Sequence, residues 1–172
     1  MTKFNIGFVG LGAMGQAIAT RIIQANHALQ VHDLSRQAVD TMVKRGAEPF
    51  EGNVALGTGK NLVFISVSHA DITEQLICDP GGLLDCMDEG GIIVDLGTTP
   101  SGQCREWAKR ASAKGMFFLD APVSGSTPWA DEGKLAMMVA GDQTAYAKVL
   151  PILGCFANKI HYLGTSGNGQ LL

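Results

Sequence analysis

Apolar residues along the chain fall into short runs, separated by segments in which they recur at helical spacing. Phe4 to Val9 is an apolar run stopped by glycines, and after it Met14, Ile18, Ile22 and Ala25 share one helical face. A second short strand is predicted over Leu29 to His32. A helix from about Ser35 follows, with Ala38, Val39, Met42 and Val43 turned inward and Gly46 at its C-terminal cap. Residues 61–67, NLVFISV, form a β-branched and aromatic run of the kind covered on both faces of a parallel sheet. A helix over Asp71 to Ile77, a strand in GGIIVDLG ending at Asp95, a helix over 101–114 and a strand in GMFFLDAPV continue the alternation. Strand followed by helix, repeated along the chain, predicts a doubly wound α/β sheet. Near residue 134 the pattern changes: KLAMMVAG reads as a strand, Gln143 to Leu153 as a helix and KIHYLG as a last strand, so extra C-terminal strands extend the sheet. Residues 124–133, rich in Ser, Gly, Thr and Pro, read as the longest irregular connection after the first turn.

Composition narrows the class of function. The chain has 172 residues, 46% hydrophobic and 17% charged, which fits one globular domain over 1–172. A net charge of −3 without clustered Lys or Arg argues against nucleic acid as a partner. The first apolar run is too short to cross a bilayer and does not read as a signal peptide, so no membrane and a cytoplasmic location are expected. Cys78, Cys86, Cys104 and Cys155 form no C-x-x-C pair, and His27, His32, His69 and His161 have no metal spacing. Reduced thiols and no metal are expected, and function is sought in a small-molecule site.

GLGAMG spells G-x-G-x-x-G at Gly10, Gly12 and Gly15, between a predicted strand and a predicted helix. In that context Gly10 permits the tight turn, Gly12 lets the backbone approach a pyrophosphate, and Gly15 lets helix and strand pack closely. The helix N-terminus offers free N–H groups to the diphosphate. Asp33, at the end of the second strand, is placed to accept hydrogen bonds from the adenosine ribose hydroxyls. Its charge repels a 2′-phosphate and Leu34 follows it rather than an arginine, which favours NAD; Arg36 keeps NADP possible.

DLGTTP at 95–100 and DAPVSGS at 120–126 each follow a predicted strand, and GTSGNGQ stands near the end. With GFVGLGAMG, these motifs, in this order, resemble the β-hydroxyacid dehydrogenase family, the group of 3-hydroxyisobutyrate dehydrogenase within the 6-phosphogluconate dehydrogenase superfamily. The resemblance implies a Rossmann-type N-terminal domain and transfer of a hydride between nicotinamide and a small 3-hydroxy acid or semialdehyde. It implies that Leu11, Ala13 and Met14 lie along the dinucleotide with the three glycines, that Ser66, Val67 and Ser68 flank its ribose and diphosphate, and that Thr98 stands near the nicotinamide end. It also implies that Ser124, Gly125 and Ser126 form the turn that holds the substrate carboxylate.

Asp95 and Asp120 read as strand-end caps rather than as acids or bases, and Ser124 has no histidine pattern to make it a nucleophile. The chain departs from the family at Gly97, where serine is usual, at Ser126, where glycine is usual, and at Pro128 and Trp129, where small residues are usual. The largest departure concerns the catalytic lysine. The family's pattern would place it directly after Leu172, so no catalytic residue is assigned within the chain. The all-helical C-terminal domain that closes the site and builds a homodimer or homotetramer in the parent is expected to be absent. The chain by itself is expected to bind cofactor without full activity. A non-catalytic NAD(P)-binding regulatory module and an imine reductase relative are the alternatives.

Overall fold

Six parallel strands form the body of the sheet in the computed structural model, which describes residues 3–50 and 56–171. In chain order they are β1 (Ile6–Val9), β2 (Leu29–His32), β3 (Glu48–Pro49), β4 (Leu62–Ile65), β5 (Ile92–Asp95) and β6 (Phe117–Asp120), and in space they run β3-β2-β1-β4-β5-β6. This is the strand order of the dinucleotide-binding doubly wound fold, in which the ligand crevice lies beyond the carboxyl ends where the order reverses, between β1 and β4. Antiparallel β8 (Leu135–Gly141) then joins β6, the short β7 (Val123–Ser124) pairs antiparallel with β8, and β9 (Ala157–Tyr162) runs parallel to β8.

The apolar runs are strands because both faces of the sheet are covered. Along β4, Leu62 and Phe64 enter one core and Val63 and Ile65 the other, and all four are buried. In β5, Ile92 and Val94 face the first core and Ile93 the second. Burying each such side chain contributes roughly 1.5–3 kcal/mol, so a four-residue strand with no polar position is held firmly in place. The first core takes Ile18 and Ile22 of α1 (Ala13–Gln24) and Val149 and Ile152 of α7 (Gln143–Leu153). The second takes Leu76 and Ile77 of α3 (Ala70–Cys78), Leu83 and Leu84 of α4 (Leu83–Cys86), and Trp107 of α5 (Ser101–Ala113), whose ring meets Phe118 edge-on at 5.7 Å.

Three expectations are corrected. Ala25 is not on the buried face of α1; it is the exposed C-cap, and the chain turns away at Asn26 with φ 64°. Val43 is 39% exposed, because α2 (Arg36–Lys44) is short and of its residues only Met42 is fully buried. The segment 124–133 is not irregular throughout, since it contains the end of β7 and the helix α6 (Thr127–Asp131). Proline in a helix's first turn loses no intrahelical hydrogen bond, so Pro128 starts α6 rather than preventing it, and Ala130 anchors it in the core.

Candidate functional site

Where β1 ends, the chain turns sharply into α1. The Gly10 N–H donates to the His32 carbonyl at 2.9 Å, tying the turn to β2. Gly10 has φ 94°, and a Cβ there would stand 2.1 Å from the Ser66 carbonyl oxygen. A Cβ on Gly15 would lie 2.1 Å from the Gly10 carbonyl oxygen. These two glycines are required by the protein's own packing. Gly12 differs: no protein atom lies within 4 Å of where its Cβ would be. It is exposed at the N-cap of α1, and no side chain caps that helix end. The first N–H groups of α1 therefore have no intrahelical partner and no capping side chain, in front of a space left by a missing side chain. That arrangement suits a diphosphate.

Asp33 stands across from this loop. Its Oδ2 accepts the Leu11 N–H at 2.6 Å and its Oδ1 accepts the Ser35 N–H at 2.7 Å. A carboxylate has about four acceptor positions, so capacity remains for a ligand hydroxyl. The bond to Leu11 gives Asp33 a second role that its position in the sequence did not signal: it fixes the glycine loop it faces. Gln16 Nε2, bonded to the Leu11 carbonyl at 2.9 Å, holds the other side of the same peptide region.

A cleft of about 560 Å³ joins these elements. Gly10, Gly12, Ala13, Met14, Gly15 and Asp33 line it on one side and Ser66, Val67 and Ser68 on the other. Leu11 is brought to the same loop but its side chain is buried, so it meets the cleft's edge only through its backbone. Thr98 is exposed and lies outside the cleft, on the turn after β5. Ile72 and Leu76 of α3 also line the cleft, one helical turn apart, and give it an apolar wall. Sequence reading missed them; their spacing just after the 66–68 loop was the available signal.

The turn after β7 stands apart. Ser124 and Ser126 are exposed, and Gly125 has φ 141° with Leu135 Cδ2 only 2.8 Å from its would-be Cβ. Ser126 is the N-cap of α6 without a side-chain capping bond. Trp129 is 56% exposed, and its ring carbon Cε3 lies 3.3 Å from the same would-be Cβ. The indole thus flanks the Ser124–Ser126 turn.

Two buried carboxylates close the ends of β5 and β6, where Asp95 and Asp120 are paired in register. Asp95 accepts the Thr99 hydroxyl at 2.7 Å and the Gly97 N–H at 3.0 Å. Asp120 accepts the Gly167 N–H at 2.7 Å and the Gly169 N–H at 2.9 Å. Burial pushes both carboxyls above the usual carboxylate range, against these hydrogen bonds. Both act as strand-end caps, and the turn that Asp120 holds includes the 3₁₀ helix Asn168–Leu171; Leu172 lies outside the described residues. Burial, with Asp120 and Asp95 nearby, pushes the Cys104 thiol up to about 12, which keeps it protonated and unreactive. All four cysteines are free thiols. Among the described residues no group of His, Cys, Asp and Glu is arranged to hold a metal, and no helix is long and apolar enough to cross a membrane.

The family described as the NAD binding domain of 6-phosphogluconate dehydrogenase matches residues 5–164. The chain is similar to 2-(hydroxymethyl)glutarate dehydrogenase of Eubacterium barkeri, 34% identical over 168 residues that cover 98% of this chain and 56% of that protein. It is similar to the mitochondrial 3-hydroxyisobutyrate dehydrogenase of Drosophila melanogaster, 34% identical over 166 residues that cover 96% of this chain and 51% of that one. Among solved structures, that of Psf3 in complex with NADP+ and 2-OPP has a TM-score of 0.93 at 30% identity, covering 96% of this chain and 59% of that chain. The chain spans about half the length of these curated relatives.

Proposed function

The chain belongs to the family of the NAD binding domain of 6-phosphogluconate dehydrogenase, and from that membership we propose that residues 1–172 form one dinucleotide-binding domain serving a hydroxyacid dehydrogenase. The observation that carries this reading is the contrast among the glycines: Gly10 and Gly15 are fixed by internal packing, while Gly12 leaves open space at an uncapped helix N-terminus facing Asp33. In this reading Gly12 and Ala13 receive the diphosphate, Asp33 receives the adenosine ribose, and Ile72 and Leu76 supply apolar cover. Ser66, Val67 and Ser68 form the opposite wall, and the nicotinamide end runs toward Thr98.

A bound nicotinamide supplies hydride acceptance and donation; this chain's residues bind and orient. Ser124, Gly125 and Ser126 hold the carboxylate of a small 3-hydroxy acid or semialdehyde through hydroxyl and backbone donors. The intact parent is an NAD(P)-dependent 3-hydroxyacid dehydrogenase or semialdehyde reductase. Support comes from the relatives named above, both called dehydrogenases of hydroxylated acids.

NAD is the preferred cofactor. The Asp33 carboxylate stands at the point where a 2′-phosphate would bring further negative charge, and Leu34, 97% exposed, offers no compensating cation. Arg36, exposed at the start of α2, is the residue through which NADP would be accommodated. Fluorescence titration of the chain with NADH and NADPH tests the reading. Saturable binding with NADH tighter is expected; absence of binding by either removes the function, and tighter NADPH reverses the preference.

A further inference from the structure

The turns at the ends of β5 and β6 are joined by one continuous set of hydrogen bonds. Asp95 holds Gly97 and Thr99, and Asp120 holds Gly167 and Gly169. Gln170 Nε2 then donates to the Gly97 carbonyl at 2.9 Å, so the two turns are tied to each other as well as to the sheet. The fit is close on every side. A Cβ on Gly169 would meet Asp120 Oδ2 at 2.8 Å and the Met138 carbonyl oxygen at 2.7 Å, and one on Gly167 would meet the Ser101 carbonyl oxygen at 2.7 Å.

This is an expensive way to hold a turn. Both carboxylates are fully buried, and the ion pairs among the described residues, Arg110–Glu106, Lys114–Asp85 and Lys134–Glu132, all lie elsewhere on the surface. The two N–H donors go to separate oxygens of one side chain, Oδ1 and Oδ2, an arrangement that Asp supplies and that Asn, with a single acceptor oxygen, does not reproduce. The same carboxylate thereby fixes both the position and the direction of the 164–171 segment.

We propose that Asp120, with Asp95 beside it, is a positioning residue that sets the 164–171 turn against the 97–99 turn, so that together they form a fixed wall for the nicotinamide end of the dinucleotide. The proposal rests on the reading that the glycine loop and Asp33 hold the other end. None of the groups that Asp120 holds belongs to that loop, so disturbing the latch separates the two ends of the cofactor.

The test compares ADP-ribose, which lacks nicotinamide, with NADH, on the wild-type chain, Asp120→Asn and Gln170→Ala. ADP-ribose is expected to bind all three within about twofold, because the sites are distant and share no partners. NADH is expected to bind the variants with a markedly smaller change in nicotinamide emission at saturation, more so in Asp120→Asn than in Gln170→Ala. Amide hydrogen exchange at Gly167 and Gly169 should accelerate by about tenfold or more in Asp120→Asn. Unchanged emission in both variants overturns the proposal, as does an equal loss of ADP-ribose and NADH affinity, which marks a general structural role. If Asp120→Asn does not fold, Gln170→Ala decides, since it removes only the bridge between the turns. A wild-type chain that binds neither ligand removes the functional reading and this proposal together; a wild-type chain that binds both, matched by its variants, removes the proposal alone.

Discussion

The loop after β1 and the turns after β5 and β6 sit at the same edge of the sheet but treat their polar groups in opposite ways. At the first, the helix end is uncapped, Gly12 has no neighbour where a side chain would be, and Asp33 keeps acceptor capacity in reserve. At the second, all four oxygens of Asp95 and Asp120 are taken by donors of the chain itself. One region leaves donors and acceptors open at the surface, and the other closes them with protein. Buried polar groups must be satisfied within the protein, and at Asp95 and Asp120 they are, whereas the exposed N–H groups at the start of α1 have only solvent in front of them and stay available to a bound group.

The strongest way to break this comparison is at the glycines. Gly10→Ala should cost about 3 kcal/mol or more in chemical denaturation, since the new Cβ meets Ser66 backbone at a positive φ. Gly12→Ala should leave the denaturation midpoint within about 0.5 kcal/mol of wild type. Its effect belongs to the ligand, with NADH affinity expected to fall about tenfold, roughly 1.4 kcal/mol. Equal stability losses for the two variants would erase the distinction between the regions.

Asp120→Ala should destabilise the chain by about 2 kcal/mol, because two buried N–H groups lose their acceptor while removal of a buried charge returns part of the cost. Urea unfolding measures it, and no loss would mean that the 164–171 turn holds without the carboxylate. Asp33→Asn should reduce NADH affinity by several-fold, on the order of 1 kcal/mol, and bring NADPH closer to NADH; an unchanged ratio in paired titrations would remove Asp33 as the discriminator.

The smallest effect is on pH dependence. The carboxyls of Asp95 and Asp120 are raised above the unfolded value, so the folded state binds more protons. Their contribution to stability is complete below the ordinary carboxylate range and is lost as pH rises through the folded values. Urea midpoints taken between about pH 4 and 7 should therefore fall less steeply on acidification in the wild type than in Asp95→Asn. The reverse order would mean that hydrogen bonding outweighs burial at Asp95.

What could be read from the sequence divides along the same line. Leu29–His32 and Gln143–Leu153 have the predicted bounds, because local spacing and β-branched content decide such elements. Val43 and Ala25 were misplaced because helical periodicity says which residues share a face but not where the helix stops covering the sheet. The glycine fingerprint and Asp33 lie within one βαβ unit and carry their meaning in spacing. Asp120 and its partners Gly167 and Gly169 lie 47 and 49 residues apart, and no local pattern joins them. The sequence marked Asp120 as a cap without naming what it caps. Glu48–Pro49, two exposed residues without a strand-like apolar pattern, is a strand through its pairing with β2.

The position of β1 also bears on how the chain assembles. The first strand in the chain lies in the interior of the sheet, hydrogen-bonded to β2 on one side and β4 on the other. During synthesis β1 emerges with both edges bare, and pairing with β2 covers only one of them. Until β4 arrives, an apolar strand presents an open edge, the kind of intermediate that captures other strands or a chaperone. Docking of β4 is therefore the step that commits this sheet, and substitutions such as Phe64→Ala are expected to slow refolding as well as lower stability.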